Sequence, residues 1–223
     1  CYLRLDQALA DFFAYLDKTI GKGNYLTFLT ADHGAVNNAA FLQDQRIPAG
    51  IWNGKSMVKE LNQELKAKFN TDKDLVMTIM NYQVFFHTAA IEEAGLDYAA
   101  VKQVVVNRLK KEKIVHYAFD MEKTSTESIP EQLKFRAING YNRERSGGVQ
   151  IVLKPAHYEY DVAKGTSHGA WNPYDIHIPL VFMGWHIQHG ATTQPHYMTD
   201  IAATVSALLH IQAPNGCIGT PIF

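Results

Sequence analysis

The stretch Tyr25-Leu26-Thr27-Phe28-Leu29-Thr30-Ala31-Asp32-His33-Gly34 decides the fold that this sequence predicts. Its first six residues are mainly apolar, branched or aromatic, which is typical of a strand covered on both faces of a parallel α/β sheet. Ligands and ions bind such sheets at the carboxyl ends of the strands, where Asp32 and His33 fall. A carboxylate beside an imidazole suits zinc, so both residues are candidate metal ligands. Gly34 would allow a sharp turn behind them.

A solvated Asp-His pair at a turn is the alternative interpretation, and a dipeptide alone favours it. A third residue, His168, favours the metal-ligand interpretation. His168 lies in the polar loop Lys164-Gly165-Thr166-Ser167-His168-Gly169-Ala170, between two further predicted strands. Its flanking glycines permit an unusual backbone path. Paired with Asp32 and His33 at another strand end, His168 becomes a candidate metal ligand, whereas Asp175 and His177 are interpreted as a contact that fixes the loop.

Length and composition limit the classes of protein to which this chain can belong. The chain has 223 residues, enough for one domain or for one domain with an inserted lobe. It is 47% hydrophobic and 19% charged, as in ordinary globular proteins, and its net charge of −1 offers no overall basic field for nucleic acid. No apolar run approaches the ~20 residues of a transmembrane helix. The chain starts without methionine or a signal peptide, so we expect a piece of a longer protein.

Periodicity predicts an α/β fold with a mainly parallel sheet flanked by helices. Strands at 25–30, 149–153 and 178–183 are expected in that one sheet, with helices 2–20 and 199–209 packed on it. Residues 35–54 read as a loop. An α+β lobe is expected to be inserted at about 45–145, with helices predicted at 55–69, 97–113 and 129–138 and short strands at 74–80 and 83–87.

Six segments carry a resemblance to a known family. They are YLRLD (2–6), LTADHG (29–34), IVLKP (151–155), GTSHG (165–169), HIPL (177–180) and MTDIAAT (198–204). In this order they resemble the C-terminal part of the alkaline phosphatase superfamily. The similar branch is the bacterial phosphate-irrepressible type, which is related to type I phosphodiesterases and nucleotide pyrophosphatases. Each segment alone is modest evidence, but the ordered set spans nearly the whole chain.

The resemblance implies an alkaline phosphatase-like fold truncated at the N-terminus and a hydrolase with two zinc ions about 4 Å apart. Asp32 and His33 match ligands of one ion, and His168 matches a ligand of the other. The family's nucleophilic Thr or Ser would lie upstream of Cys1, so no catalytic residue is assigned and the substrate-binding residues are unknown. Small phosphate esters are the implied substrates, and a periplasmic or secreted location is implied.

Three alternatives stay open at this point. The first two are a phosphodiesterase or nucleotide pyrophosphatase and a sulfatase, both of the same superfamily. The third is a non-catalytic α/β module that binds a metal for structure. A structural zinc site is closed by four protein ligands, and only three candidates are found here, divided between two ions, which counts against the third alternative.

We also expect a cut sheet edge and uncovered apolar surface to favour self-association. The 223 residues alone are expected to hydrolyse no phosphate ester.

Overall fold

The computed structural model describes residues 1–160 and 165–223. The chain forms two compact units, which are described separately below. The terminal unit comprises Cys1–Thr30 and Pro179–Phe223, and the central unit comprises Ala31–Ile178. All three candidate ligands belong to the central unit. Within the part of the chain that the structure describes, no helix is long and apolar enough to cross a membrane.

Helices and strands alternate along most of the chain. Their order is α1 (Tyr2–Thr19), β1 (Leu26–Thr30), α2 (Ala39–Asp44), β2 (Gly50–Trp52), α3 (Gly54–Phe69), β3 (Val76–Met80), β4 (Gln83–Phe86), α4 (Thr88–Glu93), α5 (Tyr98–Leu109), β5 (Val115–Asp120), a 3₁₀ helix (Met121–Thr126), α6 (Glu131–Gly140), β6 (Val149–Leu153), β7 (His157–Glu159), α7 (Pro173–Ile176), β8 (Leu180–Gly184) and α8 (Asp200–Leu208).

A four-stranded antiparallel sheet in the order β3-β4-β6-β5 lies in the central unit. Strand β6, VQIVL, is buried along its whole length, as its branched apolar residues indicate. Helices α3 and α5 contribute Leu61, Leu65, Val105 and Leu109 to the same hydrophobic core as the strands. Each buried side chain of this size contributes about 1.5–3 kcal/mol. The central unit therefore has a closed apolar interior of its own.

One charge network is buried within this unit. Lys102 of α5 is only 2% exposed, and its Nζ donates to Asp120 Oδ1 at 2.8 Å and to Glu122 Oε2 at 2.6 Å. Burial alone would lower the pKa of Lys102, but the two carboxylates outweigh it and raise that pKa above its ordinary value. A buried charge that is paired in this way ties α5 to the end of β5 and to the 3₁₀ helix.

The stretch 35–54, predicted to be a loop, contains a short helix and a strand. Asn38 caps α2, because its Oδ1 accepts a hydrogen bond from the Phe41 amide at 3.2 Å. Strand β2 pairs in parallel with β7, and Tyr158 on β7 is fully buried. The Tyr158 hydroxyl accepts a hydrogen bond from the Ala39 amide at 3.0 Å. Since the partner of β2 lies far along the chain, local sequence could not indicate this strand.

The terminal unit contains α1, β1, β8 and α8. Strands β1 and β8 form an antiparallel pair, in which Leu26 faces Gly184 and Thr30 faces Leu180. The C-terminal tail is attached to α8, because Asp200 Oδ1 accepts a hydrogen bond from the Thr220 amide at 3.0 Å. Helix α1 is formed as predicted, but none of its residues is buried.

The α/β class is confirmed, but the predicted placement of three strands in one mainly parallel sheet is wrong. The strand predicted at 149–153 is β6, which pairs antiparallel with β4 and β5 inside the central unit. The strands predicted at 25–30 and 178–183 are β1 and β8, which pair antiparallel with each other. An apolar run predicts burial, but it specifies neither the partner of a strand nor its direction. None of the residues of α1 is buried, so the expected packing of α1 on a sheet is also not observed. The inserted lobe at about 45–145 stays a prediction.

Candidate metal centre

Asp32 and His33 follow β1 closely in the chain and contact each other. The Asp32 side chain is 85% exposed, its Oδ1 accepts a hydrogen bond from the His33 amide at 3.0 Å, and its Oδ2 lies 3.3 Å from His33 Nε2. His33 Nδ1 lies 2.7 Å from the Gly34 carbonyl oxygen. Because a carbonyl oxygen can only accept, Nδ1 is assigned as the protonated nitrogen. The lone pair of Nε2 is then available to a cation.

The structure brings His168 directly against His33. The two imidazole rings are stacked, with centroids 3.5 Å apart and planes inclined by 7°. Together with Asp32, they form a cluster of one carboxylate and two imidazoles from distant parts of the sequence. Their assignment as metal ligands stays a prediction, but their proximity is a property of the fold.

The loop that carries His168 is fastened to the segment after His33. Asn38 donates a side-chain hydrogen bond to the Gly165 carbonyl, and Thr166 donates one to the Val36 carbonyl. Gly165 and Gly169 have φ values of +108° and +88°, as expected for glycines that permit an unusual backbone path. The first residue of the loop predicted from the sequence, at position 164, lies outside the described residues. This attachment places His168 beside His33.

Gly34 is required for a reason that the sequence did not reveal. It was expected to turn sharply, but its φ is not positive. Instead, a Cβ at this position would lie 1.9 Å from the Tyr174 carbonyl oxygen. The Gly34 amide also donates a hydrogen bond of 2.7 Å to the Asp175 carbonyl oxygen. Gly34 thus allows the backbone of α7 to approach the loop that carries Asp32 and His33.

Asp175 is the residue that sequence reasoning missed. Its side chain was expected to contact His177, but both carboxylate oxygens are buried, and neither has a hydrogen-bond partner in the described part of the chain. The residue is only 3% exposed, and burial raises the pKa of its carboxyl group. This rise in the pKa is partly offset by three neighbours. The largest effect comes from the Ala170 amide, which approaches the carboxylate without meeting the geometry of a hydrogen bond, and smaller ones come from His168 and His33. No periodicity or motif distinguishes this Asp, because its burial depends on the approach of two loops.

The donor chemistry of this cluster fits a divalent cation. Imidazole nitrogen and carboxylate oxygen are the ligands of zinc, and a buried carboxylate without a partner requires positive charge or donors nearby. Across residues 1–160 and 165–223, however, no group of three or more His, Cys, Asp or Glu side chains is arranged to hold a metal ion. The three candidate ligands therefore have suitable donor chemistry, but the described residues show no complete metal site, and the division of the ligands between two ions stays a prediction.

Curated relatives and solved structures match nearly the whole chain. It is 49% identical over 221 residues to alkaline phosphatase PafA of Elizabethkingia meningoseptica, 46% identical over 222 residues to a calcium-transporting ATPase of Myroides odoratus, and 48% identical over 231 residues to alkaline phosphatase PhoV of Synechococcus elongatus. Each match covers 99% of this chain but only 40%, 40% and 39% of the relative, respectively. The crystal structure of wild-type PafA matches with a TM-score of 0.94 and 49% identity, over 99% of this chain and 42% of that one.

The chain thus spans about two fifths of the length of the curated relatives that it matches. The names of those relatives differ between alkaline phosphatase and calcium-transporting ATPase. The model of the type I phosphodiesterase / nucleotide pyrophosphatase family matches residues 1–175. In agreement with the resemblance seen in its six ordered segments, the chain belongs to this family of the alkaline phosphatase superfamily.

Proposed function

We propose that these residues are part of a zinc-dependent alkaline phosphatase, a phosphomonoesterase that hydrolyses small phosphate esters through a phosphorylated Thr or Ser. The observation that carries the proposal is the stacking of His33 on His168 beside Asp32, 3.5 Å between ring centroids. Two relatives named alkaline phosphatases, with 49% and 48% identity, give it further support.

Each candidate ligand has a defined part in this proposal. Asp32 and His33 hold one ion and His168 holds the other. Bound zinc would lower the pKa of the attacking hydroxyl and stabilise the leaving oxygen. The Gly34 carbonyl fixes the tautomer of His33, which would leave the lone pair of Nε2 for the ion. The exposed Asp32 carboxylate can turn to the ion without breaking a buried contact.

The nucleophile is proposed to lie outside these 223 residues, in a part of the protein that corresponds to the unmatched portion of the relatives. No Ser or Thr among the 223 residues is assigned to that role. A catalytic zinc keeps three protein ligands, whereas this chain offers two to one ion and one to the other. The 223 residues alone should therefore bind zinc weakly and hydrolyse no phosphate ester.

Phosphodiester hydrolysis is the second candidate function. The family match over residues 1–175 favours it, because that family is described as type I phosphodiesterases and nucleotide pyrophosphatases. Monoesters and diesters differ in charge and in the extra ester group, so residues around the substrate decide between them rather than the metal ligands. A sulfatase and a non-catalytic metal-binding module are the remaining alternatives.

We also propose a location and an association behaviour. A periplasmic or secreted location suits an enzyme for charged phosphate esters, which cross membranes poorly, and cell fractionation tests it. Self-association of the 223 residues is proposed from the terminal unit, where large apolar side chains are exposed on α1, β1 and β8.

The test of the proposed function uses the complete product of the gene. With zinc present, it should hydrolyse p-nitrophenyl phosphate faster than bis(p-nitrophenyl) phosphate or p-nitrophenyl sulfate. Asp32→Ala, His33→Ala and His168→Ala should each lower kcat/KM by more than about 100-fold, since removal of a ligand costs more than removal of its hydrogen-bond partner. His116→Ala serves as the matched control, because His116 is an exposed histidine of the same unit.

The other outcomes separate the candidates. Faster hydrolysis of the diester would establish the second candidate function instead of the first. Zinc binding without turnover of any of these esters would favour the non-catalytic module. Turnover by the 223 residues alone, lost in Asp32→Ala, would show that the nucleophile lies within them.

A further inference from the structure

Asp175 is a buried carboxyl group beside the loop of His33, and neither the family resemblance nor the proposed function uses it. The residue is 3% exposed, and neither Oδ1 nor Oδ2 has a hydrogen-bond partner among residues 1–160 and 165–223. An ionised carboxylate in such a place is costly unless a donor or a cation satisfies it. The neighbouring imidazoles of His168 and His33 both partly offset the rise that burial causes in the pKa of this carboxyl group.

The two histidines differ in how their rings are held. His33 already has a partner for one nitrogen, because its Nδ1 lies 2.7 Å from the Gly34 carbonyl oxygen. For His168, the structure records a stacking contact with His33 but no side-chain hydrogen bond in the described part of the chain. A histidine that binds a metal almost always donates its other ring N–H to a carboxylate, a carbonyl or water. His168 therefore lacks the kind of partner that His33 has.

We propose that Asp175 is the positioning residue for His168, accepting a hydrogen bond from one ring nitrogen so that the other faces the cation. The role rests on the proposed function only in that His168 is taken to bind the ion. Asp175 is not assigned as a ligand.

The backbone around Asp175 is fixed well enough for this role. Its carbonyl oxygen accepts the Gly34 amide at 2.7 Å, and the neighbouring Tyr174 hydroxyl accepts the Ala156 amide at 2.8 Å. The first contact holds α7 against the loop of His33, and the second holds it against the segment between β6 and β7. Thr166 holds the loop of His168 against Val36. Orientation by a carboxylate requires such rigid support, because a small displacement would break the hydrogen bond.

The proposal predicts opposite effects on stability and on metal binding. Asp175→Asn removes a buried charge that has no partner, so the zinc-free protein should be as stable as the wild type or more stable. The same change should weaken zinc binding, but by less than the roughly 10–100-fold in metal affinity that complete loss of such a carboxylate typically costs. If Asp175 had a merely structural role, its substitution would instead lower the stability of the protein and leave the zinc affinity unchanged.

The experiment measures zinc affinity of the complete gene product by competition with a chromophoric chelator, beside thermal unfolding without zinc. Asp175→Ala should lower the affinity by about 10–100-fold. Asp175→Asn, which keeps an acceptor oxygen, should lose less. Asp44→Ala is the control for an exposed carboxylate of the same unit and should change nothing. In ¹⁵N spectra, the His168 ring should show one tautomer with zinc in the wild type and a changed tautomer ratio in Asp175→Ala.

Each other result has a definite meaning. If Asp175→Ala binds zinc as the wild type does while His168→Ala does not, the positioning role is overturned and the proposed function stands. If His168→Ala also binds zinc normally, the metal assignment fails, and the role of Asp175 fails with it. If Asp175→Asn loses as much affinity as His168→Ala, Asp175 is a direct ligand and the positioning role is overturned.

Discussion

Helices α1 and α3 have similar lengths and similar amphipathic patterns, but they lie in very different surroundings. In the central unit, α3 buries Met57, Leu61 and Leu65 in a core that it shares with the antiparallel sheet. In the terminal unit, α1 buries none of its 18 residues. The difference teaches that an amphipathic pattern predicts a helix with an apolar face, but it does not tell what that face will contact.

The same contrast holds for strands. Strand β6 of the central unit is buried at every position. In the terminal unit, β1 and β8 form a sheet of two strands among the described residues, and Phe28, Leu29 and Val181 remain exposed. Because large apolar patches on a protein surface usually mark interaction sites, the terminal unit presents a surface suited to another protein surface.

The largest expected effect is a difference in hydrogen exchange between the two units of the 223-residue chain. Amides of β6 should exchange at least about a thousand-fold more slowly than in an unfolded chain, because they open only with the whole core. Amides of α1 should exchange within about tenfold of the unfolded rate, since a helix that buries none of its residues is marginal in water. Mass spectrometry of peptides from both elements in dilute solution measures these exchange rates. Equal protection of β6 and α1 would contradict the difference in burial between the two units.

The next effect is the cost of shortening one leucine in each unit. Leu65→Ala removes a fully buried side chain from α3 and should lower the free energy of unfolding by about 2–5 kcal/mol. Leu5→Ala removes one that is 54% exposed on α1 and should change it by less than about 0.5 kcal/mol. Urea unfolding followed by circular dichroism measures both.

A volume-conserving change serves as the control for this pair. Leu65→Met should cost less than about 1.5 kcal/mol, because it leaves no large cavity. If Leu5→Ala proved as costly as Leu65→Ala, α1 would be packed in solution, and the comparison between the units would fail.

The smallest expected effect concerns self-association through the terminal unit. Leu3→Lys places a charge where the side chain is 87% exposed on α1, and it should weaken association of the 223 residues at least about tenfold. Gln7→Lys adds the same charge to α1 without removing apolar area, so it should have little effect. Sedimentation velocity at several concentrations measures both, and association that is insensitive to Leu3→Lys would place the contact elsewhere.

Local signals in the sequence predicted much of the fold. Periodicity and apolar runs located α1, α3, α5 and α8 and strands β1, β3, β4, β6 and β8, because they reflect the turn of a helix and the burial of a strand, which are properties of neighbouring residues. Strand β2 was missed because its partner, β7, lies far along the chain. For the same reason, the sequence indicated a single, mainly parallel sheet for strands that form antiparallel pairs in separate units.

For the candidate site, the sequence by itself determined which residues have the chemistry. Asp32, His33 and His168 were recognised from residue type, strand ends and family order, and the chain belongs to the family that they indicated. Only the tertiary structure decided that the two imidazoles stack and that Gly34 is needed for a close approach to Tyr174. It also decided that Asp175 is buried without a hydrogen-bond partner among the described residues. The physical reason is that burial and distance between remote loops depend on how the whole central unit packs, whereas the donor chemistry of a side chain belongs to the residue alone.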